Sequence, residues 1–289
     1  MRSIAVSRRG SLRIAAAAGA VAVLSSVAGR ADADDSSTTV FRYGQHRSQF
    51  AEISVPAGDL STVPVVAIIH GGFWVSSFSL DLGRPLAADL VRRGYAALNI
   101  EYRRVGRGDT AGGGWPQTGQ DVAAAVDALA TDGQRLAGGH LDLTRVVAFG
   151  HSAGGQLAAW LGARRDAAVS VSAVVSQAGV LDLVGAAELG IGAGAVQDLM
   201  GGSPSEVPAA YADASPIARV PLGVPSICVH GRDDSVVPID QSERFVIAAG
   251  AAGDASRIQR YDGDHFDPIR PGTVAWQMCV DALSSLTAQ

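Results

Sequence analysis

Residues 150 to 155 read Gly-His-Ser-Ala-Gly-Gly, a G-x-S-x-G pattern. The pattern sits between the apolar β-type run Arg145-Val146-Val147-Ala148-Phe149 and the helix-forming run Gln156-Leu157-Ala158-Ala159-Trp160-Leu161. So tight a strand-to-helix turn forces its central residue into a strained backbone and holds the side chain above the sheet, while small neighbours let the chain fold back. Ser152 is therefore the candidate nucleophile. A serine hydroxyl attacks poorly at neutral pH and needs a base whose pKa lies near 7, which histidine supplies. Of six histidines, His46 and His140 stand in polar loops, and His70, His151 and His230 are embedded in turn motifs where the expected task is to shape the loop. His265 differs: it lies in Asp262-Gly263-Asp264-His265-Phe266, between the last β-type run and the terminal helix, and is the expected general base.

A base of this kind needs an acid that holds one tautomer and stabilises the imidazolium. The stretch His230-Gly231-Arg232-Asp233-Asp234-Ser235-Val236-Val237-Pro238 offers adjacent carboxylates that point different ways, and its D-x-x-V-P spacing selects Asp234. The chain order Ser152, Asp234, His265 is nucleophile, acid, base. Acyl transfer also requires donors for a developing oxyanion. The His70-Gly71-Gly72-Phe73-Trp74 loop follows an apolar strand, so the amides of Gly72, Phe73 and Ala153 are the expected oxyanion hole. Trp74 and Trp115 are candidate substrate-binding walls, although aromatic residues at a strand end serve equally well as core. Asp262, Asp264 and Asp267 lack the ligand spacing of a recognised calcium loop, so neither metal nor cofactor is expected.

The elements that must position these groups alternate along the chain. Val40–Tyr43 and Ala51–Val55 form a short opening pair of strands, and Val65–Ile69, Ala96–Ile100, Val171–Ser176, Ser226–His230 and Arg257–Tyr261 read as further strands beside the one that enters the elbow. Between them, Leu82, Leu86, Leu90 and Val91, and again Val122, Ala125, Val126 and Leu129, recur at helical spacing, with Pro116 opening the second helix. Helices follow near Gln241–Ala249 and from about Pro271 to Leu286. Continuous apolar strands separated by amphipathic helices describe a three-layer α/β sandwich with a mostly parallel sheet. The glycine-rich stretch 104–115 and the Gly, Ala and Pro-rich stretch 180–220 follow strand C-termini, where open α/β sheets bind ligands. They read as pocket wall and lid, with Asp182, Asp198 and Asp213 solvated.

The chain has 289 residues, 47% hydrophobic and 18% charged, which suits one catalytic domain. It contains no lysine, and its scattered arginines form no basic stripe, so no nucleic-acid partner is expected. Ser7-Arg8-Arg9-Gly10-Ser11-Leu12-Arg13, a hydrophobic stretch from Ile14 to Val27 and Ala31-Asp32-Ala33 together read as a twin-arginine signal peptide over 1–33, cleaved on export. Its apolar stretch is too short for stable membrane insertion. Residues 34–49 read as a leader and 50–289 as the catalytic domain. Removing 1–33 takes away five arginines and one aspartate and leaves 18 basic against 27 acidic residues, a formal charge of −9. In an oxidising compartment Cys228 and Cys279 could pair, or both could be buried thiols.

On these motifs the chain resembles the α/β-hydrolase superfamily, in the branch of hormone-sensitive-lipase-like esterases, feruloyl and acetyl-xylan esterases and kynurenine formamidases. The resemblance covers about residues 50 to 287, including Glu101-Tyr102-Arg103 and Trp115-Pro116 through Asp121-Val122. It departs at Phe73, where the lipase-like branch carries a third glycine. It implies a secreted serine hydrolase acting on a small-molecule carboxylic ester through an acyl-enzyme. An amide hydrolase of arylformamidase or prolyl-oligopeptidase type is the second reading, and a non-catalytic binding protein on the same fold the third. Oligomeric state is not specified by the sequence.

Overall fold

Central strands rich in Val, Ile, Leu and Ala must be covered on both faces, and they are. The computed structural model describes residues 38–58 and 62–288. Its strands are β1 (Thr38–Arg42), β2 (Phe50–Ser54), β3 (Val63–Ile69), β4 (Ala96–Ile100), β5 (Leu141–His151), β6 (Ala173–Gln177), β7 (Ser226–Gly231) and β8 (Ser256–Tyr261). They form one sheet in the order β1-β2-β4-β3-β5-β6-β7-β8. The β1–β2 and β2–β4 pairs are antiparallel and every later pair is parallel.

The two-residue period of a strand sorts its side chains to opposite faces. Val65, Ala67 and Ile69 of β3 enter one core, together with Val146 and Ala148 of β5. Val66 and Ile68 enter the other, with Val147 and Phe149. The first face is covered by α2 (Gln117–Asp127), the short α3 (Asp132–Leu136), α4 (Ala153–Gly162) and, through Phe245 and Ala249, the later α8 (Asp240–Ala251). The second is covered by α1 (Arg84–Arg92) through Leu86 and Leu90, and by α9 (Val274–Thr287) through Trp276, Cys279 and Leu283. The three layers expected from the sequence are present, and helix and strand limits agree closely. Among the described residues, no helix is long and apolar enough to cross a membrane.

Three expectations need correction or completion. β1 pairs with β2 at the sheet edge, so the catalytic domain begins inside the 34–49 segment read as a leader. The 180–220 stretch is built of α5 (Leu183–Glu188), α6 (Ala195–Met200) and α7 (Pro208–Ala214), which run between β6 and β7. Leu183, Val196, Leu199 and Tyr211 bury against the first core, giving these short helices an apolar side that glycine-rich composition had concealed. Cys228 and Cys279 are both buried free thiols, and burial pushes each thiol up to about 12. The twin-arginine segment, 1–33, lies outside the described residues.

Parallel register carries the functional loops to one rim. Ile69 is opposite Gly150, His151 opposite Gln177 and Gly231 opposite Tyr261, so the loops after β3, β5, β7 and β8 leave the sheet side by side. The closest approach is at Gly154, in the first turn of α4. A Cβ there would stand 2.0 Å from Ile69 O and 2.6 Å from His70 O. Gly154→Ala is thus expected to destabilise the protein by at least about 1–3 kcal/mol, because the colliding atoms are backbone. Urea unfolding measures this; an unchanged midpoint would refute the contact.

Candidate active site

Ser152 stands between β5 and α4 with φ 54° and ψ −118°, a left-handed backbone for a residue with a side chain. The strain is held from both sides: Ser152 N donates to Gln177 O at 2.8 Å, and its carbonyl accepts from Gly155 at 2.9 Å and Gln156 at 3.2 Å. A Cβ on Gly150 would meet Gly154 O at 2.1 Å, so the chain folds back on itself only with glycine there. Ser152 is almost wholly buried.

Asp234 and His265 stand on the two loops that follow the paired strands β7 and β8. His265 Nδ1 donates to Asp234 Oδ2 at 2.6 Å, and both side chains are buried. The other carboxylate oxygen, Oδ1, accepts from the amides of Val236 at 2.9 Å and Val237 at 2.8 Å, as the D-x-x-V-P spacing requires. His230 adds a third support. Its Nε2 donates to Val237 O at 2.9 Å and lies 3.2 Å from Asp234 Oδ2, while its Nδ1 accepts from the Ser242 hydroxyl at 2.8 Å. Burial alone would push the Asp234 carboxyl up, but hydrogen bonds from His230 and His265, the charge of His265 and the Val237 amide outweigh it. They hold the group well below the usual carboxylate range.

His265 is tied to the elbow through the residue before Ser152. His151 Nε2 donates to His265 O at 2.8 Å, and the two imidazole rings lie 4.6 Å apart. Burial, then the neighbouring His265, pushes His151 down to about 3, so it is a neutral strut at ordinary pH. Among the described residues the Ser152 hydroxyl makes no hydrogen bond to His265.

The loop after β3 packs on the elbow. A Cβ on Gly71 would lie 2.8 Å from His151 Nδ1 and 3.1 Å from Ser152 Cβ. Gly72, Phe73 and Trp74 all have positive φ, at 109°, 53° and 55°, which closes the loop into a tight turn bonded from Val75 N to Gly72 O at 3.0 Å. No hydrogen bond from the Gly72, Phe73 or Ala153 amide to another protein group is present among the described residues. Beneath the loop, the buried Glu101 accepts from Leu80 N at 3.1 Å and Tyr102 N at 3.0 Å, and meets His70 Nε2 at 3.3 Å and Arg104 Nη2 at 3.1 Å. Burial raises its pKa, but His70, Arg104 and the Leu80 amide prevail and lower it. Glu101 thereby grips both ends of the loop.

Of the two tryptophans expected at the substrate wall, Trp74 is buried in the core and Trp115 is half-buried. Trp74 is 1% exposed, belongs to the first core, and donates from Nε1 to Gln156 Oε1 at 3.0 Å. Its left-handed backbone turns the indole inward. Trp115 packs edge-on against Trp160 at 5.1 Å, about two turns along α4 from Ser152, and donates to Asp213 at 2.9 Å. It braces α7. Asp182 and Asp213 are not simply solvated either: Asp182 caps α5 and pairs with Arg244 at 2.9 Å, and Asp213 pairs with Arg219 at 2.7 Å. Around His265, Asp264 Oδ1 accepts from the amides of Phe266 and Asp267, so these carboxylates shape the loop. Glu101 and Gln156 are the supports that sequence reasoning did not assign, whereas His151 bonds backbone and shapes the loop as expected; for Gln156 the available signal was a lone amide in an apolar helical run.

A model of the BD-FAE family matches residues 51–248. The chain belongs to the BD-FAE family. The BD-FAE match takes in the oxyanion loop, the elbow and Asp234, and ends before His265. Among curated relatives, the chain is 27% identical over 211 residues to a probable carboxylic ester hydrolase, LipM, and 27% identical over 206 residues to esterase LipC, both of Mycobacterium tuberculosis. These alignments take in 64% and 63% of the chain but only 44% and 47% of the relatives, so the chain spans less than half their length. Solved structures share the α/β-hydrolase fold. Esterase B from Lactobacillus rhamnosis superposes with TM-score 0.76 at 20% identity, covering 94% of this chain and 92% of that one. Thermogutta terrifontis esterase 2, phosphoramylated by tabun, superposes with TM-score 0.68 at 22% identity, covering 87% and 94%.

The lowered Asp234 pKa has a pH signature. A carboxyl whose folded pKa lies below its unfolded value of about 3.9 adds stability that is fully present above that value and is lost as pH falls through the folded pKa. Asp234→Asn is therefore expected to flatten the fall in unfolding free energy below about pH 4, measured by urea titrations from pH 6 to pH 3. A slope equal to that of the unsubstituted protein would remove Asp234 from the acid response.

Proposed function

We propose that this protein is a secreted serine hydrolase that cleaves carboxylic esters through an acyl-enzyme on Ser152. One observation carries the reading: the buried 2.6 Å bond from His265 to an ionised Asp234, on loops adjoining a serine in an elbow backbone. His265 Nε2 takes the Ser152 proton as Oγ attacks the ester carbonyl, then gives it to the departing alkoxide. Asp234 holds the Nδ1–H tautomer and stabilises the imidazolium. The amides of Gly72, Phe73 and Ala153 receive the oxyanion. Water, deprotonated by His265, then attacks the acyl-enzyme carbonyl and regenerates Ser152 with release of the acid. The names of the Mycobacterium relatives support ester over amide cleavage.

Ser152→Ala should lower kcat on short p-nitrophenyl esters by about 10³-fold or more and abolish labelling by a fluorophosphonate, with the melting temperature retained. Undiminished turnover would overturn the nucleophile, and a higher kcat/KM on matched N-formyl aryl amides would overturn the ester reading.

Export through the twin-arginine route, with residues 1–33 removed, belongs to the same proposal and is supported by Arg8-Arg9, the apolar stretch after them and Ala31-Asp32-Ala33. Replacing Arg8 and Arg9 by lysine is expected to retain an uncleaved precursor in the cell. Release of mature protein starting near Asp34 despite the double change would refute that route.

A further inference from the structure

Gln156 lies one turn after Ser152 in α4, with no exposed surface, in an otherwise apolar run. Both ends of its amide are used. Oε1 accepts from Trp74 Nε1 at 3.0 Å, and Nε2 donates to Ala214 O at 2.9 Å. Only one amide orientation serves both, since the indole can only donate and the carbonyl only accept. Trp74 is the third of the three positive-φ residues that close the oxyanion loop, and its carbonyl also accepts from Val105 N at 2.8 Å. Ala214 ends α7, the last α-helix of the 180–220 excursion. One buried side chain on the nucleophile helix therefore spans from the oxyanion loop to the excursion.

A left-handed turn over three residues carries strain of order 1–3 kcal/mol at each non-glycine position and persists only where its surroundings hold it. Glu101 grips the loop at His70 and at Leu80. Between those ends, the side-chain hold on Phe73 and Trp74 comes from two places. The Phe73 ring packs over Gly192, where a Cβ would come within 2.6 Å of the ring, and the Trp74 indole hangs on Gln156. The second links the loop to the same rigid helix that carries Ser152.

We infer that Gln156 is a positioning residue for the oxyanion hole: through the Trp74 indole it sets the Gly72–Phe73 amides relative to Ser152, and through Ala214 it ties the excursion to the same helix. The inference rests on the proposed hydrolase reading and assigns a part that the nucleophile, acid and base do not supply. Oxyanion donors act in the transition state more than in the ground state, so loosening them lowers kcat and leaves KM nearly unchanged. The expected loss is about 10- to 100-fold, below the roughly 10²–10³ that follows removal of a donor.

The test compares the unsubstituted enzyme with Gln156→Leu, Gln156→Glu, Trp74→Phe and the Leu/Phe double variant. Readouts are kcat and KM on p-nitrophenyl butyrate, the second-order rate of fluorophosphonate labelling, and melting temperature. Gln156→Glu keeps an acceptor for the indole but sets a carboxylate against Ala214 O, so it should retain more kcat than Gln156→Leu. Trp74→Phe removes the shared donor, so the double variant should be no slower than the slower single variant. Folded variants with unchanged kcat, or losses that multiply in the double variant, overturn the role of Gln156. If Gln156→Leu fails to fold, the ranking of Gln156→Glu against Trp74→Phe decides: kcat lower in Trp74→Phe supports the indole link, and equal or reversed values overturn it. An unsubstituted enzyme inert to both ester and probe overturns the hydrolase reading, and the positioning role with it.

Discussion

Backbone packing against backbone at Gly154 is the constraint from which the rest of the site follows. The first turn of α4 rests directly on the end of β3, with no room for a single carbon between Gly154 and the carbonyl of Ile69. That contact fixes the distance between the elbow on β5 and the loop that leaves β3, and it forces the chain at Ser152 into its left-handed turn. A side chain on Gly150 would part the same layers. The site is thus assembled first by exclusion of volume, and its hydrogen bonds complete a geometry that packing has already limited.

Two buried carboxylates then remove much of the remaining freedom, and each is met by more than one partner, as a low-dielectric interior requires. Asp234 is held by two amides and two imidazoles. Glu101 is held by two amides, a histidine and an arginine. The two clusters serve different loops: one orients His265, the other anchors the oxyanion turn. His151 at the end of β5 and Gln156 in α4 bridge to these two loops, so both are referenced to one strand-and-helix unit and not merely to each other.

Much of this was legible in residue order. The apolar strands, the elbow, the D-x-x-V-P turn and the histidine loop obey local rules of period, turn chemistry and spacing. The strand order and the three layers agree with them, and the structure brings His265 within 2.6 Å of Asp234. The tryptophans were not legible in the same way. Trp74 follows two residues with positive φ, so its side chain turns into the core instead of toward solvent, and Trp115 finds Trp160 and Asp213. The helices of 180–220 were hidden because Gly, Ala and Pro carry little periodic signal, although Leu183, Val196, Leu199 and Tyr211 are buried.

The sequence by itself determined the Ser152 elbow, the Asp234 turn, the His265 loop and the glycine turn after β3, and the order in which they occur, because each depends on residue type and a few neighbours. Only the tertiary structure decided which residues hold those groups still. Gln156 meets Trp74 82 positions away in the chain, and Glu101 meets His70 31 positions away. Such contacts arise from the sheet order, which brings distant strand ends to one rim, and no local pattern encodes the direction in which a buried side chain will finally point.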